Sequence, residues 1–310
     1  MSIDKTILIT GASKNLGNYL TKHYLDKKYN VIGISKSTKS NINYNSYICD
    51  LSNANKTKIL FKKLKKKFKN IDLIIHCASL TNAENSFSNK KKMFKNNLGC
   101  MKNVIDFCIE NKSKLIHLSS TSVYGKQAKI VNEDDDSFLK PQSPYADIKL
   151  MEENILKKNK HKLKFMSFRF GTIAGISPGM RFHTAINKFC FNAAIDQKIM
   201  IYKTAYNQYR PYLSIKDAFK VFKFCIEKNM FKNDVFNALS QNLTVKQVVG
   251  MIRKYKKNAK IKFVNAKIMN QLSYHVDNKK LNNLGLKLNS NIERDIKETL
   301  KLFVFKNNEM

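Results

Sequence analysis

Acidic residues and arginine are both scarce in this chain. Against 57 lysines and arginines stand 23 aspartates and glutamates, and only five of the basic residues are arginine. A net charge of +34 raises nucleic acid and anionic membrane as partners. Base reading and bidentate phosphate binding favour the planar fork of arginine, however, which is the cation in short supply. The lysines are interleaved with asparagine, as in FKKLKKKFKN, RKYKKNAK and ENKSK, mostly in helix-like and loop-like stretches. No zinc-finger, RNA-recognition or helix-turn-helix signature is present. A chain-wide Lys/Asn bias on solvated faces accounts for the charge, and no nucleic-acid partner is expected. Such a surface would still attract anionic small molecules.

Long apolar runs are also missing. No stretch approaches the roughly 20 apolar residues that cross a bilayer, so no membrane partner is expected. A strand-like run, TILIT, begins almost at once, and no signal peptide is expected. The six cysteines are scattered without a CxxC spacing. They read as reduced, mostly buried thiols in a cytoplasmic protein. The histidines are equally dispersed and show no metal-ligand spacing. There is no internal repeat and no flexible linker, so the regions of the chain should be interwoven. With 43% apolar content over 310 residues, a large core and one or two domains are within reach.

Residues 6–10 (TILIT) read as a buried strand, GASKNLG as a tight turn and NYLTKHYLDKK as a helix. Strand, glycine turn and helix together place a helix N-terminus under a diphosphate. Gly11 would supply the turn and Gly17 the close approach of helix to strand. A middle glycine is missing, since Lys14 and Asn15 stand there. Asn15 tolerates positive φ best among ordinary residues and would partly substitute. A structural turn without a ligand is the alternative. Strand 29–35 ends in Ser35-Lys36-Ser37, where an acidic residue would be expected to grip a free ribose 2′-hydroxyl. Hydroxyls and a lysine suit a 2′-phosphate better, and Lys14 would add a second cation. NADP(H) is therefore preferred over NAD(H), unless Lys36 is one more surface lysine. Asp50, at the end of a short third strand, is placed to accept from an adenine amino group or to cap the next helix.

Strand 71–79 (IDLIIHCAS) is nearly all apolar, as a central parallel strand should be. His76 reads as a packed core histidine, while the small Ala78 and Ser79 would let a nicotinamide ribose approach. Gly99, inside a helix over 91–111, suggests close packing against a neighbour. Strand 114–120 ends in SSTSVYG, with hydroxyls at the functional end of a parallel sheet. Residues 126–143, with Glu133 and three aspartates after it, read as a solvated excursion. Next comes PQSPYADIKLMEEN, in which Pro144 fits an early helical position and Asp147, Lys149, Glu152 and Glu153 are polar helix formers. The spacing puts Tyr145 and Lys149 on one face. A nearby ammonium favours the phenolate and should pull the tyrosine below its ordinary value of about 10, making an acid/base for hydroxyl–carbonyl interconversion.

In order and spacing, TGASKNLG, IDLIIHCAS, NNLGCMKNV, LSSTSVYG, YADIK, RFGTIAG and RPYLSIKDA resemble the extended short-chain dehydrogenases/reductases. More narrowly, they resemble the NAD(P)-dependent epimerase/dehydratase family acting on nucleotide sugars, over roughly residues 5–300. The resemblance implies an α/β fold: a doubly wound, mostly parallel Rossmann sheet over 1–172. A smaller, interwoven α/β substrate-binding region would follow over 173–310, with segments near 210–240 returning to the first domain. It implies Tyr145 as general acid/base, Lys149 as its electrostatic partner on the nicotinamide ribose, and Ser120 as the group orienting the sugar oxygen. Cofactor contacts would come from Gly11, Ser13, Lys14, Asn15, Leu16, Gly17, Ser35, Lys36, Asp50, Leu51, Cys77, Ala78 and Asn96, besides Tyr145 and Lys149. Substrate contacts would come from Ser79, Ser120, Thr121, Thr172, Arg181, His183, Asn187 and Arg210, with Lys203 nearby. Arg210 would clamp the diphosphate of a nucleotide-diphosphate sugar. A homodimer through helices 91–111 and 145–159 is expected on the same ground.

Three departures from the family pattern stand out. Lys14 replaces a glycine. Thr172 and Ala174 replace an asparagine and a tyrosine after the sixth strand. Thr121 and Ser122 stand where 4,6-dehydrating members carry an Asp–Glu pair, so no carboxylate could move the C5 proton. The expected chemistry is hydride transfer at a sugar carbon, with C4 the expected position, by a 4-epimerase or by an NADPH-dependent 4-keto-sugar reductase. A non-catalytic binding protein is the remaining alternative.

Overall fold

The structure is a computed structural model, and it describes residues 5–37, 43–81, 86–178, 180–182, 184–265 and 274–303. The first half of the chain runs β1 (Thr6–Thr10), α1 (Asn15–Asp26), β2 (Asn30–Ser35), β3 (Asn45–Ile48), α2 (Ala54–Lys67), β4 (Leu73–His76), α3 (Lys90–Asn111), β5 (Lys114–Ser120), β6 (Ile130–Val131) and α4 (Pro144–Lys158). The second half runs β7 (Phe165–Phe170), β8 (Thr172–Ala174), α5 (Ala185–Ala194), β9 (Ile199–Tyr202), β10 (Tyr209–Ser214), α6 (Ile215–Glu227), β11 (Asp234–Ala238), β12 (Gln241–Thr244), α7 (Val245–Tyr255), β13 (Ile261–Val264), β14 (His275–Val276), α8 (Lys279–Asn283) and α9 (Ile292–Phe303). Two compact units result. One comprises residues 1–123, 143–169 and 222–236; the other 124–142, 170–221 and 237–310.

The first unit is organised by a seven-stranded sheet in the order β11-β7-β5-β4-β1-β2-β3. β1 lies between β2 and β4 and is parallel to both, with Thr10 opposite Ile34 on one side and His76 on the other. β1 and β4 are buried along their whole length, which is why both read as unbroken apolar runs. Chain order reverses between β1 and β4. In open α/β sheets that reversal opens a crevice beyond the carboxyl ends of the strands.

The helices cover the sheet for local reasons. α4 starts where Ser143 Oγ accepts from the Ala146 amide at 3.2 Å, with Pro144 in the first turn. α2 is capped by Asn53 and buries only a stripe of Thr57, Phe61 and Leu64, so its lysines face water. Three of those lysines fill its last turn, where cations meet the negative end of the helix dipole. Phe61 stacks on Phe107 of α3 with ring centroids 4.1 Å apart. Gly99 of α3 is the close approach expected, since a Cβ there would lie 3.2 Å from the Ser52 carbonyl oxygen.

The second unit holds a three-stranded sheet, β12-β10-β8, and the pairs β13-β9 and β14-β6. Ile186, Cys190, Val248, Ile252 and Ile296 form its core with residues of β9 and β10. α7 begins with a full capping box of Thr244 and Gln247. After the sixth strand, Thr172–Ala174 forms β8 and pairs with β10, although three residues are too few to show a strand period. One sequence reading changes here: the acidic segment is not a purely solvated excursion. Glu133 is buried, and its carboxylate accepts from the Asn237 amide at 2.8 Å and side chain at 2.9 Å. Burial raises the Glu133 pKa, against the pull of those bonds.

Glu153 is a further correction. It is fully buried in the first unit and grips Arg169 through Nε at 3.0 Å and Nη2 at 2.7 Å. A helical glutamate whose partner is sixteen residues away gives no local sign of burial. Glu153→Ala would leave a buried guanidinium without its carboxylate and should destabilise the fold by about 3–5 kcal/mol. Glu227→Ala, which breaks an exposed pair with Lys223, should cost about 0–1 kcal/mol. Urea unfolding of both variants checks the contrast.

Candidate active site

The β1–α1 turn has the geometry a diphosphate needs. Gly11 has φ +69, and a Cβ there would lie 3.0 Å from the Ala78 nitrogen. A Cβ on Gly17 would run into the Gly11 carbonyl oxygen. Asn15 has φ 50, the left-handed conformation that the sequence suggested for it in place of a glycine. Lys14 sits at the N-cap of α1 without a side-chain capping bond. No capping side chain therefore covers the first-turn amides, which offer positive charge to an anion. Ser13 is half-buried and Leu16 is buried beneath the turn. The residues present fit a dinucleotide.

At the ends of β2 and β3, Lys36 is already committed. Its ammonium pairs with Asp50 at 2.8 Å and donates to Asn96 Oδ1 at 3.0 Å. Asp50 also accepts from the Ser52 amide at 3.0 Å and hydroxyl at 2.6 Å. Burial works to raise the Asp50 pKa, but Lys36 and Ser52 overcome it and hold it below the usual carboxylate range. Ser35 and Leu51 are buried beside this cluster. Asn96 passes the network to Asn97, which fixes the backbone of Leu80 through bonds of 2.9 and 3.0 Å. Cys77, Ala78 and Ser79, at the exit of β4, are each partly exposed. Asn97 was missed in the sequence, although its place beside Asn96 on the same helix was the available sign.

At the next strand, Ser120 closes β5 and Thr121 opens a short 3-10 turn to Tyr124. Ser120 Oγ accepts from the Ser122 amide at 3.2 Å and hydroxyl at 2.9 Å. Tyr145 and Lys149 share a face of α4, with the ammonium 5.9 Å from the centre of the phenol ring. Lys149 is buried, and Glu152 Oε2 accepts from it at 2.8 Å. The same oxygen lies 3.0 Å from His117 Nε2, and His117 Nδ1 lies 2.8 Å from Ser167 Oγ. Burial works against the Lys149 charge, but Glu152, then Tyr145, more than offset it, and the Lys149 pKa is raised. Burial also works against the Glu152 charge; Lys149 and His117 overcome it and hold Glu152 down at about 2.

Glu152 was read as a polar helix former, yet it is almost wholly buried. Two signs were available: it follows Lys149 by three residues, and a histidine interrupts the apolar run of β5. His76 is the packed core histidine expected. It bonds Thr10 at 2.9 Å, and burial pulls its pKa down to about 3.

The remaining substrate candidates lie in the second unit. Thr172 and Arg210 stand on the neighbouring strands β8 and β10. Burial draws Arg210 below the ordinary arginine pKa, with Tyr274 and Tyr212 opposing. Arg181 and Asn187 come together, since Asn187 Nδ2 donates to the Arg181 carbonyl at 3.2 Å. Asn187 Oδ1 is buried and has no partner among the described residues. His183 lies outside the described residues.

Among known proteins, the chain is 29% identical over 322 residues to Uncharacterized protein MJ1055 of Methanocaldococcus jannaschii, covering 97% of this chain and 96% of that one. It is 26% identical over 323 residues to an Arabidopsis thaliana trifunctional UDP-glucose 4,6-dehydratase/UDP-4-keto-6-deoxy-D-glucose 3,5-epimerase/UDP-4-keto-L-rhamnose-reductase, covering 96% of this chain but only 46% of the plant enzyme. Among solved structures, it superposes on the Thermus thermophilus UDP-glucose 4-epimerase with TM-score 0.82 and 16% identity, covering 96% and 98% of the two chains. The Brucella ovis UDP-glucose 4-epimerase gives TM-score 0.84 and 17% identity, covering 97% and 98%. Both structures are complexes with NAD. This corrects the expected preference for NADP(H) over NAD(H). The physical reason is that Lys36, the cation meant for a 2′-phosphate, is neutralised by Asp50. The family model described as NAD dependent epimerase/dehydratase matches residues 7–238, and the chain belongs to that family.

Proposed function

We propose that the chain is an NAD-dependent epimerase of a nucleotide-diphosphate sugar, acting by hydride transfer at a sugar carbon, C4. The observation that carries this reading is the buried Lys149 ammonium beneath the Tyr145 ring at the functional end of the sheet. NAD, when bound, supplies the hydride acceptor and donor. Gly11 to Gly17 and the α1 N-terminus hold its diphosphate. Lys149, with two N–H groups beyond the one given to Glu152, bonds a ribose hydroxyl and keeps positive charge near the phenol. Tyr145 passes a proton to or from the sugar oxygen, and Ser120 orients that oxygen. Arg210, Asn187, Arg181 and Thr172 serve the nucleotide and sugar.

Two other outcomes share the family. Reduction of a 4-keto sugar was favoured by the NADP reading, and that support is gone with Lys36 paired. Dehydration needs a carboxylate next to Ser120, where Thr121 and Ser122 stand. Self-association through α3 and α4, and the absence of a nucleic-acid partner, belong to the same proposal. Among the described residues no helix is long and apolar enough to cross a membrane.

Native mass spectrometry should find NAD carried by the purified chain, and a UDP-sugar should be epimerised without net redox change. Tyr145→Phe should lower kcat by roughly 10²–10⁴-fold, the range for a lost general acid/base, with NAD retained. Full turnover in that variant would remove the assignment. Gly17→Ala should weaken NAD binding by calorimetry, by roughly tenfold or more, because its Cβ has no room against Gly11. Unchanged affinity would show that the turn is only structural.

A further inference from the structure

Glu152 takes no direct part in the proposed reaction. A carboxylate buried to 1% exposure is costly unless held by donors, and here both donors are identified. One is Lys149 on the same helix; the other is His117 on β5, itself backed by Ser167 on β7. The chain Ser167–His117–Glu152–Lys149 thus links two strands of the sheet to the helix that carries Tyr145. His117 lies beside His76 in the β4–β5 register.

On α4, Glu153 is occupied by Arg169 and Tyr145 stands one turn earlier. On β4, burial keeps His76 neutral near pH 7, with its pKa down at about 3. On α3, burial pushes the Cys100 thiol up to about 12, so it too is neutral. His117 faces Glu152 from β5. Glu152 is therefore the anion in direct contact with the Lys149 ammonium.

We propose that Glu152 is a positioning residue that acts through Lys149, holding the buried ammonium both protonated and aimed at the phenol. This rests on the acid/base reading of Tyr145 and goes beyond it. The sign follows from burial. An ammonium removed from water loses its proton more readily, and an adjacent carboxylate reverses that tendency. Without Glu152, Lys149 should be charged only at lower pH. The activity that depends on the charge should then fall as pH rises through the lowered Lys149 value.

The test is Glu152→Gln, which keeps the shape and a hydrogen-bond acceptor but removes the charge. Titration of the full chain by NMR of isotope-labelled lysine Nζ should show Lys149 losing its proton at a pH lower by roughly one to three units than in the parent chain. The alkaline limb of the kcat profile should move down with it. Glu152→Asp, which keeps the charge one methylene further back, should restore most of both and carries the test if Glu152→Gln does not fold. A Lys149 titration unmoved in the folded variant, or turnover reduced equally at every pH, would overturn the proposal. The NMR readout needs no turnover. A shifted Lys149 in a chain without epimerase activity would therefore sink the proposed reaction and leave the role of Glu152 standing.

Discussion

A lysine ammonium removed from water, yet kept charged, is the constraint on which the rest of the first unit depends. Lys149 is buried at the foot of Tyr145, where desolvation alone would lower its pKa. Glu152 beside it favours the charged form, and Glu152 in turn is held ionised by Lys149 and by His117 on the same oxygen. Each member is tolerable only with the others present. The parallel sheet makes the arrangement possible by setting β5 and β7 side by side under α4, so that side chains far apart in sequence meet.

The same logic recurs towards the other edge of the sheet. Lys36, Asp50 and Asn96 form a polar knot at the ends of β2 and β3, and Asn97 ties it to the exit of β4. That knot is what makes Lys36 a poor reader of a 2′-phosphate: its charge is spent on a carboxylate of the same chain. A basic side chain in a phosphate-like place says little about specificity until its partner is known.

Much of this was legible in the residues. The turn glycines, the positive φ of Asn15, the apolar central strands, the early helical place of Pro144 and the Tyr145–Lys149 face all follow from local rules of sterics and periodicity. Glu153 was not legible, because its arginine arrives from 16 residues away, and Glu152 was only half so, because Lys149 stands three residues before it whereas His117 lies 35 residues off. Asp50 was visible as a carboxylate at a strand end, but its pairing with Lys36 depends on how β2 and β3 lie together. β8 was too short to show a period. Local pattern thus revealed the elements and the shared face of Tyr145 and Lys149, whereas the buried charges needed the topology.

One measurement bears on the whole arrangement at once: a crystal structure of the chain with NAD and a UDP-sugar. The expected result is a Tyr145 phenol oxygen within about 2.6–3.2 Å of the reacting sugar oxygen, the distance for direct proton transfer, with the Lys149–Glu152 bond intact. A sugar seated away from that phenol, or a Lys149 side chain turned off Glu152 towards solvent, would contradict it.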